Sequence, residues 1–226
     1  EAKYMTTFAY IIAAISAYLL GSIPFGYLAG ISRGVDIRTV GSGNIGATNV
    51  YRTLGKKLGI ATFVLDVFKG VAATSVIPQS VWFMLGFEGT APLYMVIACG
   101  ALVLIGHSFP LFLNFKGGKG VATGLGVTIG VAPHSAILGL AVWIAVFFST
   151  RYVSVGSIIA AAVVGTAVWL LDNSYEPANV VPAVVSLLAV LVIVKHRKNI
   201  TRLINGNENR FDFSKRKKNN AVSKNN

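Results

Sequence analysis

Long apolar runs separated by short polar stretches dominate this chain, and their lengths predict helices that cross a bilayer. The runs lie near 6–29, 57–78, 91–113, 120–134, 135–149, 153–171 and 179–195. A helix needs about 20 apolar residues to cross a hydrocarbon core about 30 Å thick. Shorter or re-entrant helices suffice where protein surrounds them. The fourth and fifth runs are short, with only Pro133 and His134 as punctuation between them. Seven crossings are therefore expected, with five crossings plus a re-entrant hairpin as the alternative. The first run is too long for a secretory signal and lacks its basic leader and small-residue cleavage pattern, so it is read as a membrane helix.

The polar stretches between the runs set the orientation. Arg33, Arg38, Arg52, Lys56 and Lys57 follow the first run, Lys116 and Lys119 the third, Arg151 the fifth, and a dense basic stretch the seventh. All of these fall on one side. The other side carries Glu88, Asp172 and Glu176 without lysine or arginine. The positive-inside rule puts the basic loops in the cytoplasm and, with an odd number of crossings, the N-terminus outside. The same asymmetry accounts for the formal charge of +12. The basic tail reads as a lipid-surface or topology signal, flexible over 209–226, and no aromatic-interleaved motif supports nucleic-acid binding. Composition agrees: 54% of residues are hydrophobic, 12% are charged, and mean hydropathy is +0.66, whereas a soluble domain carries about 25% charged residues. We read residues 1–226 as one membrane-embedded, all-α domain. Cys99 is the only cysteine, which excludes an intrachain disulfide, and no His/Cys cluster suggests a metal site.

Three polar elements on the basic side carry candidate chemistry. The first reads GSGNIGATNVYRTLG from Gly41 to Gly55. Gly41 and Gly43 permit close backbone approach to an anion. Ser42, Asn44, Thr48 and Asn49 are short hydrogen-bonding side chains, and Arg52 can grip a phosphate with two parallel bonds. If a helix begins near Ala47, then Thr48, Arg52 and Gly55 share a face. The second element, GHSFPLFLNFKGGKGVATG, combines Lys116 and Lys119 with Gly117, Gly118 and Gly120 just before an apolar helix, a phosphate-binding arrangement. It is not a nucleotide-binding P-loop, because Gly120 rather than Ser or Thr follows Lys119. The third, KHRKNITRLINGNE, places His196 and Asn199 on one helical face, with Glu208 as the acid that can pair with a loop arginine. Asp66 and Lys69 stand within the second apolar run at a spacing that lets them pair or floor a polar site.

These elements, GSGNIGATN, GHSFPLFLNFKGGKGVAT and HRKNITRL with its trailing GNE, together with GSIPFGYL and LDVFKG, resemble in order the motifs of the bacterial PlsY family of membrane acyltransferases. The resemblance implies a seven-helix fold with its active site at the cytoplasmic face of the inner membrane. It implies acyl transfer from acyl phosphate to glycerol 3-phosphate, giving 1-acylglycerol 3-phosphate and inorganic phosphate without a cofactor. It further implies that Ser42 and Arg52 are essential, that the second-motif glycines bind glycerol 3-phosphate, that His196 and Asn199 support activity, and that Glu208 supports structure. The H-x4-D pair of other glycerolipid acyltransferases is absent, since Phe112, Gly139 and Thr201 stand where its aspartate would follow each histidine. The base is then either the donor's own phosphate or His196. An organic-phosphate transporter is the competing class, disfavoured by polar motifs that crowd one membrane face and by the lack of an internal repeat. The sequence leaves open whether a soluble acyl-phosphate-synthesising enzyme docks on the basic face.

Overall fold

The computed structural model of the protein describes residues 2–173 and 179–211, and every regular element among them is helical. Glu176 and residues 212–226 of the basic tail lie outside the described residues. The helices are α1 (Ala2–Ser22), α2 (Phe25–Ile31), α3 (Ala47–Leu54), α4 (Lys56–Ser75), α5 (Ile77–Met84), α6 (Leu93–Ser108), α7 (Val121–Val131), α8 (Pro133–Thr150), α9 (Val153–Leu171), α10 (Val180–Lys195) and α11 (Arg197–Ile204).

Among the described residues five stretches are long and apolar enough to cross a membrane: Lys3–Ile31, Lys56–Met84, Leu93–Leu113, Pro133–Thr150 and Val153–Leu171. α10 and α11 make a sixth if their pair, bent by 51°, counts as one span. The fourth apolar run yields only the 11-residue α7, which rises about 16 Å at 1.5 Å per residue, roughly half a hydrocarbon core. It sits against α4, with further contacts to α6, α8 and α10.

Proline explains where the long runs break. Pro24 lacks the N–H that would continue α1, so the first run becomes α1 and α2. Ala132 leaves the helical region (φ −150°, ψ 65°), since proline disfavours helical backbone in the residue before it, and Pro133 opens α8 at its first position. Asp172, at the end of α9, accepts the backbone N–H groups of His134 (3.2 Å) and Ser135 (2.8 Å) and so caps α8 from a neighbouring helix.

Small residues let the helices approach. Ala9, Ala13 and Ala17 form a fully buried stripe on α1, which packs along α6. A methyl group on Gly70 would strike the backbone of α7, and one on Gly126 would strike that of α4, so these two glycines bring α4 and α7 into backbone contact. Large side chains such as Phe8, Ile15, Phe68, Leu170 and Leu187 point outward and are exposed, as a lipid-facing surface requires. Polar groups gather at the end of the bundle formed by the 32–46 loop, α3, the 109–120 loop, α11 and residues 205–211.

Candidate active site

The first loop is built around one side chain. Asn49, on α3 and 2% exposed, donates from Nδ2 to the carbonyls of Ile37 (3.1 Å), Val40 (3.0 Å) and Asn44 (2.9 Å). Its Oδ1 accepts the N–H of Ser42 at 2.9 Å. Asn44 in turn accepts the N–H of Gly46 at 2.9 Å, closing the turn before α3. Gly41 and Gly43 adopt φ of +61° and +68° in this turn. Both asparagines are thus engaged with the loop's own backbone. Ser42 and Thr48 are half-buried, and their hydroxyls take no protein partner among the described residues. Thr48 and Arg52 share a face of α3, and Arg52 donates from Nη2 to the carbonyl of Asn209 at 3.1 Å, joining the first motif to the third.

In the second loop the glycines fit the protein itself. A Cβ on Gly118 would coincide with the imidazole of His107, and its N–H donates to the His107 carbonyl at 3.0 Å. A Cβ on Gly117 would strike that same carbonyl and the ring of Pro110. Gly120 precedes α7 at φ +83°, a conformation that favours glycine, with Leu104 beneath it. Lys116 is exposed, whereas Lys119 is half-buried. Burial pushes the Lys119 ammonium down to about 8, against the pull of Glu208, and Arg202 and Arg52 push in the same direction as burial.

The third element turns at the α10–α11 corner. His196 is buried, and its Nδ1 lies 2.8 Å from the carbonyl of Val192. A carbonyl only accepts, so Nδ1 carries a proton and Nε2 is the nitrogen left for other partners. Glu208 binds three side chains: its Oε1 accepts Ser154 Oγ (2.8 Å) and Asn199 Nδ2 (2.7 Å), and its Oε2 accepts Arg202 Nε (2.7 Å). Burial would lift this carboxyl, but those hydrogen bonds outweigh it and hold Glu208 below the usual glutamate range. Asn199 Oδ1 is buried without a partner among the described residues, leaving an acceptor able to take a hydroxyl.

The three elements converge. Lys119 lies within electrostatic reach of Glu208, Arg202 and Arg52, and His196 within reach of Lys119 and Glu208. Lys116 stays on the outer surface of its loop. Asp66 and Lys69 on α4 pair at 2.8 Å in the interior. Sequence reasoning did not single out Ser154, which anchors Glu208 from α9, or Lys195, which donates to the Ser108 carbonyl at 2.7 Å. Polar residues at the ends of apolar runs were the available signal for both. Among the described residues no group of three or more His, Cys, Asp or Glu side chains is placed to hold a metal. The arrangement gathers cations, hydroxyls and one histidine around a structural carboxylate, which suits binding and charge neutralisation of phosphate groups.

Comparison with known proteins agrees with this chemistry. The glycerol-3-phosphate acyltransferase family model matches residues 11–206. A glycerol-3-phosphate acyltransferase of Geobacter sulfurreducens is 49% identical over 201 residues, covering 89% of this chain and 97% of the relative. One from Aquifex aeolicus is 43% identical over 197 residues, covering 87% and 96%. The crystal structure of PlsY, an integral membrane glycerol 3-phosphate acyltransferase, in its glycerol 3-phosphate form superposes with a TM-score of 0.79 at 38% identity, covering 91% of this chain and 97% of that one. Its lysophosphatidic acid form gives a TM-score of 0.74 at the same identity.

Proposed function

The chain belongs to the glycerol-3-phosphate acyltransferase family, and on that premise we propose that it transfers a fatty acyl group from acyl phosphate to the sn-1 hydroxyl of glycerol 3-phosphate. The products are 1-acylglycerol 3-phosphate and inorganic phosphate. The observation that carries this reading is the convergence of Arg52, Lys119 and Arg202 around Glu208. Both substrates bear phosphate, and Arg52 comes from α3 while Lys119 comes from the loop before α7.

In the proposed reaction the glycerol hydroxyl oxygen attacks the acyl carbonyl carbon, the bond from that carbon to the phosphate oxygen breaks, and phosphate departs. Acyl phosphate is a mixed anhydride with a good leaving group, so positioning and neutralisation supply most of the acceleration. The hydroxyl proton passes to an oxygen of the donor's phosphate. His196 keeps its Nδ1 proton on Val192 and holds the corner that presents Asn199. Ser42 and Thr48 offer free hydroxyls, Arg52 and Lys119 offer charge, and the second loop contributes its backbone between Lys116 and Gly120. The site faces the cytoplasm of a bacterial inner membrane with the N-terminus outside, as the arginine and lysine distribution supports. A soluble acyl-phosphate-synthesising enzyme would meet this basic face.

The test is an incubation of purified protein in detergent with glycerol 3-phosphate and, separately, acyl phosphate, acyl-CoA or acyl-carrier protein. Lysophosphatidate is expected from acyl phosphate alone. Product from a thioester only would overturn the donor assignment. Absence of product from all three would overturn acyl transfer, and transfer without a sealed compartment excludes transport as the primary activity.

A further inference from the structure

The second loop rests on a buried polar chain that begins far from it in sequence. Lys69, 1% exposed, donates to the carbonyls of Gly21 (3.1 Å) and Ile23 (3.2 Å), the groups freed where α1 gives way to α2. Its ammonium lies 2.8 Å from Asp66 Oδ1. That same oxygen is 3.5 Å from Nδ1 of His107, near the end of α6. The far edge of the His107 ring, at Nε2, meets Gly118. The imidazole thus faces the Asp66 carboxylate on one edge and meets the glycine loop on the other. Ionisable groups in an apolar bundle are costly. This trio links the α1–α2 break on one side to the loop bearing Lys119 on the other.

We propose that His107 is a positioning residue of the acyl-transfer site: its buried ring, packed between Asp66 and the second loop, is the surface against which Gly118 seats, and this contact sets the position of Lys119. On this view Gly118 must be glycine because a side chain would collide with the imidazole, not because substrate approaches that carbon. The Gly118 N–H is already engaged by the His107 carbonyl, as a residue turned toward the protein interior requires. The proposal rests on the acyltransferase reading for its kinetic readout, while the contact itself can be tested without substrate.

The test is a double-substitution cycle of His107→Ala and Gly118→Ala in the full-length protein, read by thermal unfolding and by KM and kcat for glycerol 3-phosphate. Each single change should raise KM by about tenfold or more through loop displacement, with a smaller fall in kcat. In the double variant the new methyl group enters the space vacated by the ring, so both Tm and KM should improve on those of Gly118→Ala alone. Effects on KM that simply multiply would show that Gly118 acts independently of His107 and would overturn the proposal. Coupling in Tm without coupling in KM would also overturn it, because the contact would then be structural only. If His107→Ala does not accumulate, His107→Asn serves in the same cycle, since its shorter amide stays polar beside Asp66 but stops short of Gly118. Lack of coupling there is equally decisive against the proposal. Wild-type protein that fails to acylate glycerol 3-phosphate would refute the functional reading instead, and the Tm cycle would still report on the contact.

Discussion

Replacing Asn49 with Asp changes almost nothing in shape and reverses the chemistry at the centre of the first loop. Nδ2 donates to three carbonyls at 2.9–3.1 Å, and an aspartate oxygen in its place would face all three as an acceptor. Two N–H donors are lost, each contributing about 1 kcal/mol net, and carbonyls left buried without a donor cost about 1–3 kcal/mol more. Together these give a local penalty on the order of 3–5 kcal/mol, comparable to what holds a surface loop closed. The Ser42 N–H, held by Asn49 Oδ1 at 2.9 Å, can still find an acceptor, but the strand of loop around it cannot. Hydrogen exchange across residues 37–49 is the direct assay, with kcat/KM measured on the same preparation. Loss of protection in that segment together with a fall in kcat/KM of about a hundredfold is expected, because small displacements of catalytic groups cost that much. Asn49→Ala should show the same pattern, somewhat weaker. A variant whose loop exchanges like wild type, while only KM for the phosphate substrate rises, would refute the reasoning and return Asn49 to the ligand.

The depressed Lys119 predicts a basic limb. Its charge is lost as pH rises through about 8, so kcat/KM, which reports the free enzyme, should fall above that pH, whereas Lys119→Arg should keep its charge and abolish the limb at reduced overall activity. A limb that survives in Lys119→Arg would assign it to another group. For topology, impermeant thiol labelling of single cysteines at Lys116 and Arg210 should occur from the cytoplasm, and at Gly89 and Asn173 from the outside. The native Cys99 is fully buried and leaves the background silent. Labelling of the Lys116 position from outside would break the orientation.

The helical runs were legible because about 20 consecutive apolar residues have few other uses. The sixth run, 153–171, coincides with α9. The breaks were less legible. Pro24 lies inside an apolar run whose overall hydropathy hides it, and the α7–α8 junction is set at Ala132 by the proline that follows. The three motifs converge at the candidate site, and α3 begins at Ala47, the start on which the shared face of Thr48 and Arg52 was conditional. Motif membership, however, says nothing of direction. Asn44, Asn49 and Gly118 stand among the candidate ligand-binding residues, yet two close hydrogen bonds within their own loop and the third seats on a histidine. Such partners depend on how the chain doubles back, which residue types and spacing do not encode. Side chains that shape a loop are spent on backbone groups that would otherwise be buried without partners. What remains at this end of the bundle is a short set: the hydroxyls of Ser42 and Thr48, the charges of Arg52 and Lys119, and the Oδ1 of Asn199. Among the described residues Arg52 and Lys119 stand there beside Arg202, and Glu208 is bound by Ser154, Asn199 and Arg202. A site so composed can hold anions and orient a hydroxyl, but among the described residues Glu208 is committed to its three partners rather than poised as a base, and on that count the proton is better given to the departing phosphate.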